Sequence, residues 1–182
     1  MKVIHTKIPE VLILEPKVFG DARGFFFENF NENTFADATG LRPKFVQDNH
    51  SGSGRNVLRG LHSQIRQTQG KLVRVTAGEV YDVAVDLRRC SPTFGHWIGA
   101  VLSSGNRLMM WIPEGFAHGF LVLSEFAEFH YKTTDYYAPE FERCIRWDDH
   151  DLAIDWPLAG ASPILSKKDE AGVVLAKADV FA

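Results

Sequence analysis

"KLVRVTAGEVYDVAVDL", residues 71–87, carries a repeat of two. Lys71, Val73 and Val75 fall on one face of an extended chain and Leu72, Arg74 and Thr76 on the other, because successive strand side chains point to opposite faces. Ala77-Gly78 offers a reversal, and a second apolar run follows it, so the stretch reads as strand, turn, strand. Working outward, β-type runs recur with turn residues between them: "VLIL", "GFFFENF", "KFVQDN", "NVLRGLH", "GHWIGAVLS", "RLMMWIP", "GFLVLS" and "AEFHYKTTDYY". Such spacing predicts an all-β sandwich or barrel. Helix signals are confined to "NENTFADATG", ending at Gly40, and "SKKDEAGVVLAKA", starting at Ser166.

At 182 residues, with no repeat, low-complexity tract or Pro/Ser linker, the chain is expected to form one domain over 1–182. Apolar residues make up 45% and charged residues 24%, and fourteen phenylalanines favour sheet packing. The net charge of −3 gives no general attraction to nucleic acid or an anionic membrane, so anion binding would need a local group of Arg and Lys. Cys90 and Cys144 lack metal-ligand spacing and cannot make a disulfide framework, which fits a reducing cytoplasm. The N-terminus is interrupted by His5, Lys7, Pro9 and Glu10, which spoils a signal-peptide core, and no apolar run approaches a membrane span. A soluble cytoplasmic protein is expected.

"WIPEGFAHGF" places Pro113, Gly115 and His118 in the order Pro-x-Gly-x-x-His. This resembles the second motif of the cupin superfamily, whose histidine turns into a double-sheet jelly roll; a turn with a structural His118 is the ordinary alternative. The first cupin motif has His-x-His and then a glutamate seven positions before a glycine, all metal ligands. Here those places hold His62, Gln64 and Lys71, with Gly78 seven positions further on. An ammonium cannot ligate without losing its proton, and His62 and His118 alone fall short of the usual three protein ligands, so no metal is expected. A histidine beside a lysine suits proton abstraction next to a carbonyl, with the histidine as base and the cation on the enolate oxygen. A solvated strand lysine is the competing reading of Lys71.

Eight segments in order, "GDARGFFFENF", "FVQDNHS", "LRGLHSQ", "GKLVRVTAGEVYDVAVDLR", "SPTFG", "WIPEGFAHGF", "YKTTDYYAPEFE" and "LSKKD", resemble the dTDP-4-dehydrorhamnose 3,5-epimerase (RmlC) family from about Ile8 to Asp169. The resemblance implies a cupin-type jelly roll with a few short peripheral helices, a homodimer, and cofactor-free epimerisation at C3 and C5 of dTDP-4-dehydro-6-deoxy-D-glucose. It implies His62 as the base, Lys71 on the C4 oxyanion, Tyr131 as the acid on the opposite face, and Asp169 orienting His62. Two alternatives stay open: Tyr131 as a core aromatic, and Asp169 completing a capping box with Ser166. The resemblance further implies a nucleotide-sugar site lined by Arg23, Glu28, Gln47, Asn49, Arg59, His118, Glu142 and Lys168. Arg23, Arg59 and Lys168 suit a diphosphate. Tyr137 is a candidate to stack on thymine or to pack at a strand end. Ser63 departs from the family's common aromatic. A cupin that epimerises one carbon only, or a non-catalytic sugar-nucleotide binder, is the rival reading.

Overall fold

The period-two pattern at residues 71–87 becomes two strands in a computed structural model that describes residues 1–182. In chain order the strands are β1 (Lys2–His5), β2 (Leu12–Glu15), β3 (Val18–Asp21), β4 (Gly24–Phe27), β5 (Gln47–Gly54), β6 (Leu58–Gln64) and β7 (Lys71–Ala77). There follow β8 (Glu79–Asp86), β9 (Trp97–Ser103), β10 (Met109–Ile112), β11 (Phe116–Val122), β12 (Phe126–Thr133) and β13 (Glu142–Cys144). Two short helices, α1 (Glu32–Thr39) and α2 (Lys167–Glu170), lie outside them. One antiparallel sheet has the order β1-β2-β10-β7-β12-β5, the other β13-β6-β11-β8-β9, and β3 and β4 make a separate hairpin. This is the expected all-β double-sheet architecture.

Lys71, Val73 and Val75 do share a face. Val73 and Val75 enter the core between the sheets with Val80, Ala84, Phe120 and Phe129, while Leu72 packs on the outer side with Phe35 of α1 and Trp111. Removing these side chains from water is the main favourable term, because apolar burial contributes about 25 cal/mol per Å². The reversal at Ala77-Gly78 is a corner between sheets and not a hairpin: β7 pairs with β10 and β12, β8 with β9 and β11. Gly78 has φ +72°, and a Cβ there would stand 2.0 Å from the Phe126 carbonyl oxygen, so a side chain cannot be accommodated.

Helix α1 begins where Asn31 accepts the Thr34 N–H at 3.0 Å and stops at Gly40, φ +74°. Helix α2 starts after Ser166 as expected but lasts one turn. Gly172 lies against the Arg146 backbone and Val173 bridges Ile145, which draws the chain into an extended path. Strand β5 begins at Gln47, inside the run read from Lys44, and continues through the polar "HSGSG" to Gly54. No helix is long and apolar enough to cross a membrane.

Candidate active site

Between the sheets lies a cavity of about 310 Å³ lined by residues from both walls. His62 reaches it from β6 and His118 from the neighbouring β11, where the two are register partners; Lys71 and Tyr131 reach it from β7 and β12 of the facing sheet. The two cupin-like segments therefore meet, as their spacing predicts.

His62 is held by Asp169. Its Nε2 stands 2.7 Å from Asp169 Oδ1, and the same oxygen accepts the Gly60 N–H at 3.1 Å. The Ser166 hydroxyl donates to Asp169 Oδ2 at 2.6 Å and accepts the Asp169 N–H at 3.2 Å. The cap and the histidine pair thus coexist: Ser166 caps α2, while the carboxylate turns to His62 and not to the Ser166 N–H. Burial alone would raise the Asp169 carboxyl, but the bonds from His62, Ser166 and Gly60 and the His62 charge hold it well below the usual carboxylate range. An ionised Asp169 fixes the proton on Nε2 and leaves the Nδ1 lone pair for chemistry. Burial pushes the imidazolium of His62 below its ordinary range; Asp169 opposes this, and Lys168 and Lys71 reinforce it.

Lys71 is buried with 9% exposure and has no ion-pair partner. Desolvation pushes its pKa down to about 8, with Glu142 and Asp82 opposing. Leaving an ammonium buried and unpaired costs several kcal/mol, so the position suits an arriving anion. Tyr131 is half-buried, and burial, followed by the Glu142 charge, raises its phenol above the usual range and keeps it protonated at neutral pH. His118 is buried and partnered: its Nε2 contacts both oxygens of the buried Asp82 at 2.9 and 3.1 Å, and its ring stacks on Phe129. Asp82 escaped the sequence reading. Its signal is an acid on the inward face of β8, between Val80 and Ala84.

The model of the family described as dTDP-4-dehydrorhamnose 3,5-epimerase matches residues 5–177. The chain is 64% identical over 181 residues to the Pseudomonas aeruginosa dTDP-4-dehydrorhamnose 3,5-epimerase, covering 100% of this chain and 99% of that one. It is 59% identical to the Salmonella typhimurium enzyme of the same name, covering 98% and 97%. A crystal structure of the Legionella pneumophila dTDP-6-deoxy-D-glucose-3,5-epimerase RmlC, in complex with dTDP-4-keto-L-rhamnose, superposes with a TM-score of 0.95 at 56% identity over 98% of this chain and 94% of that one. The chain belongs to this epimerase family.

The remaining residues that the family pattern points to divide into two groups. Gln47, Asn49, Arg59, Tyr137, Glu142 and Lys168 all line the same cavity. Glu142 joins two of them, accepting from Lys168 Nζ at 2.8 Å and from the Tyr137 hydroxyl at 2.9 Å. Burial would raise its carboxyl, but those two bonds outweigh it and keep Glu142 ionised. The cations Arg59, Lys71 and Lys168 thus face one carboxylate, an excess that suits a diphosphate within a chain of net charge −3. Arg23 and Glu28 do not reach this cavity. Arg23 sits at the turn of the β3–β4 hairpin, 90% exposed and paired with Asp21; Glu28 binds Asn31 and Thr34 beside the N-terminus of α1.

Gln64 and Ser63 belong to the wall. Gln64 ties down the loops on either side, donating to the carbonyls of Gln67 and Tyr136 and accepting from the Ala138 N–H. Ser63 is buried beside it. Ser51, Gln69, Phe120 and Phe129 complete the lining and were not foreseen, although Phe129 shares the inward face of β12 with Tyr131. Cys144 approaches His62 and Asp169, and burial pushes its thiol up to about 12, so it stays protonated at neutral pH.

Proposed function

We propose that this cavity epimerises dTDP-4-dehydro-6-deoxy-D-glucose at C3 and C5, giving dTDP-4-dehydro-L-rhamnose for dTDP-L-rhamnose synthesis in the cytoplasm. The observation that carries the reading is the opposition of the two walls: a histidine whose Nε2 is fixed by a buried carboxylate on one, an unpaired buried ammonium and a protonated phenol on the other.

The C3 and C5 protons are acidic because both carbons flank the C4 ketone. His62 Nδ1 takes a proton, the electron pair moves into the ring and onto the C4 oxygen, and the Lys71 ammonium stabilises the resulting enolate. Asp169 stabilises the imidazolium that forms. Tyr131 then donates its proton to the opposite face of the same carbon. Inversion requires this opposition, since one group acting on one face would restore the starting configuration. Between rounds the imidazolium gives its proton to solvent and the tyrosinate takes one back, so two rounds invert two centres. Arg59 and Lys168 hold the diphosphate, and Tyr137, fixed by Glu142, lies beside the base.

The same reading pairs two chains. Phe19, Phe25 and Phe26 are exposed at 53%, 62% and 69% on the β3–β4 hairpin, and Arg23 projects from its turn. A homodimer that covers these rings and carries Arg23 and Glu28 to the partner's cavity accounts for both features.

The deciding experiment is proton NMR of turnover in deuterated water. Deuterium at both C3 and C5, with inverted configuration, is expected. Label at one carbon would make the chain a mono-epimerase, and none would leave a binding protein.

A further inference from the structure

The outward face of β12 carries a cluster that the proposed reaction does not use. Glu128, His130 and Lys132 alternate with the inward Phe129 and Tyr131, and β5 lies alongside with His50 as the register partner of His130. The two imidazoles stack with centroids 3.8 Å apart, and His50 Nε2 is 3.4 Å from Glu128 Oε2. One donor atom from each of His50, Glu128 and His130 lies within 4.8 Å of the others. Gly52 opposes Glu128 across the strands, so no side chain from β5 competes for that place.

Two cations flank the cluster, and one of them, Arg74, is the register partner of His130 on β7. Lys132 is held by Asp48 at 2.6 Å, and Arg74 stacks over Phe27 at 5.5 Å. Two histidines and one glutamate are a common ligand set for a divalent transition metal, and convergence to bond lengths of about 2.0–2.2 Å needs only rotation of partly exposed side chains. Strand β5 is the edge of its sheet, and its other face supplies Gln47, Asn49 and Ser51 to the cavity.

We propose that His50, Glu128 and His130 bind one divalent transition-metal ion of the zinc class on the outer wall, clipping edge strand β5 to β12 outside the catalytic cavity. The remaining coordination positions face solvent. Binding to the folded chain alone raises its stability by mass action.

The test titrates the metal-free, full-length protein with Zn2+ by calorimetry, following the imidazole resonances by NMR and Tm by thermal unfolding. One saturable site per chain is expected, with shifts at His50 and His130 and not at His62 or His118, and a rise in Tm. His50→Ala and His130→Ala each weaken binding at least about tenfold, since even outer-shell changes cost 10- to 100-fold. His50→Gln preserves the cross-strand contact and guards against a folding defect; it too should lose the site while epimerase turnover stays at the wild-type rate. Absence of saturable binding, binding that survives these changes, or Zn2+ that shifts His62 and suppresses turnover would overturn the proposal.

Discussion

At the scale of the residue, the proposed catalyst needs His62 neutral and Lys71 charged, and the two conditions bound a pH window. The histidine is held below its ordinary value of 6.5, so its base form survives into mildly acidic solution; the lysine loses its proton near pH 8. A plot of kcat/KM against pH should be bell-shaped, with an acid limb below 6.5 and an alkaline limb near 8. Lys71→Arg should move the alkaline limb upward, because a guanidinium keeps its proton, whereas Lys71→Met should lower kcat by about 10²–10³. Asp169→Asn should lower kcat by about 10²–10⁴ and shift the acid limb downward, since the carboxylate is what raises the imidazole. A profile unchanged by Asp169→Asn would leave Asp169 with a capping role only. Tyr131→Phe separates removal of a proton from its return: deuterium wash-in at C3 and C5 should persist while inversion fails.

At the scale of the element, the site depends on how closely β6 and β11 approach. Gly60 has φ +128°, and a Cβ there would lie 2.5 Å from Gly119 Cα and 2.8 Å from the His118 carbonyl oxygen. Gly60→Ala should therefore cost about 1–3 kcal/mol and lower both Tm and turnover, because the strands it would part carry His62 and His118. A different restraint closes β8. Asp86, fully buried, accepts from the Arg88 N–H, Nε and Nη2 and from the hydroxyls of Ser91 and Thr93. Burial would raise its carboxyl, but these bonds bring it down to about 2, from an ordinary 3.8. A depressed carboxylate contributes stability that is complete above the unfolded value and disappears as pH falls through the folded one. Acid unfolding of Asp86→Asn, followed by circular dichroism, should show a flatter dependence of stability on pH between about 4 and 2.

At the scale of the whole molecule, the proposed pairing of chains is open to a direct complementation test. Light scattering should give twice the 20.5 kDa chain mass. Arg23→Ala alone should raise KM with little change in kcat, as expected for a group that binds diphosphate without touching the reacting carbons. Mixed with the inactive His62→Ala chain, it should recover wild-type KM in the sites that combine its own His62 with the partner's Arg23. Failure to recover, with Arg23→Ala alone still raising KM, would place Arg23 at its own chain's site and overturn the exchanged arrangement.

The strands with an apolar alternation, α1 with its Asn31 and Gly40 boundaries, and the meeting of the two motif histidines were all legible, because each rests on local periodicity or fixed spacing. Strand β5 was legible only in part: Gln47, Asn49 and Ser51 face a polar cavity and His50 faces outward, so neither side carries the apolar repeat that marks a strand. Asp82 was missed and Asp169 left ambiguous for one reason. A carboxylate's role is set by what faces it, and His118 stands 36 positions from Asp82, His62 107 from Asp169. Sequence by itself determined which segments extend and which types of group are available for proton transfer. Tertiary structure alone decided that β7 and β8 part into different sheets, that Asp169 turns to His62, and that Arg23 points away from the cavity of its own chain, because those outcomes depend on packing between segments far apart along the chain.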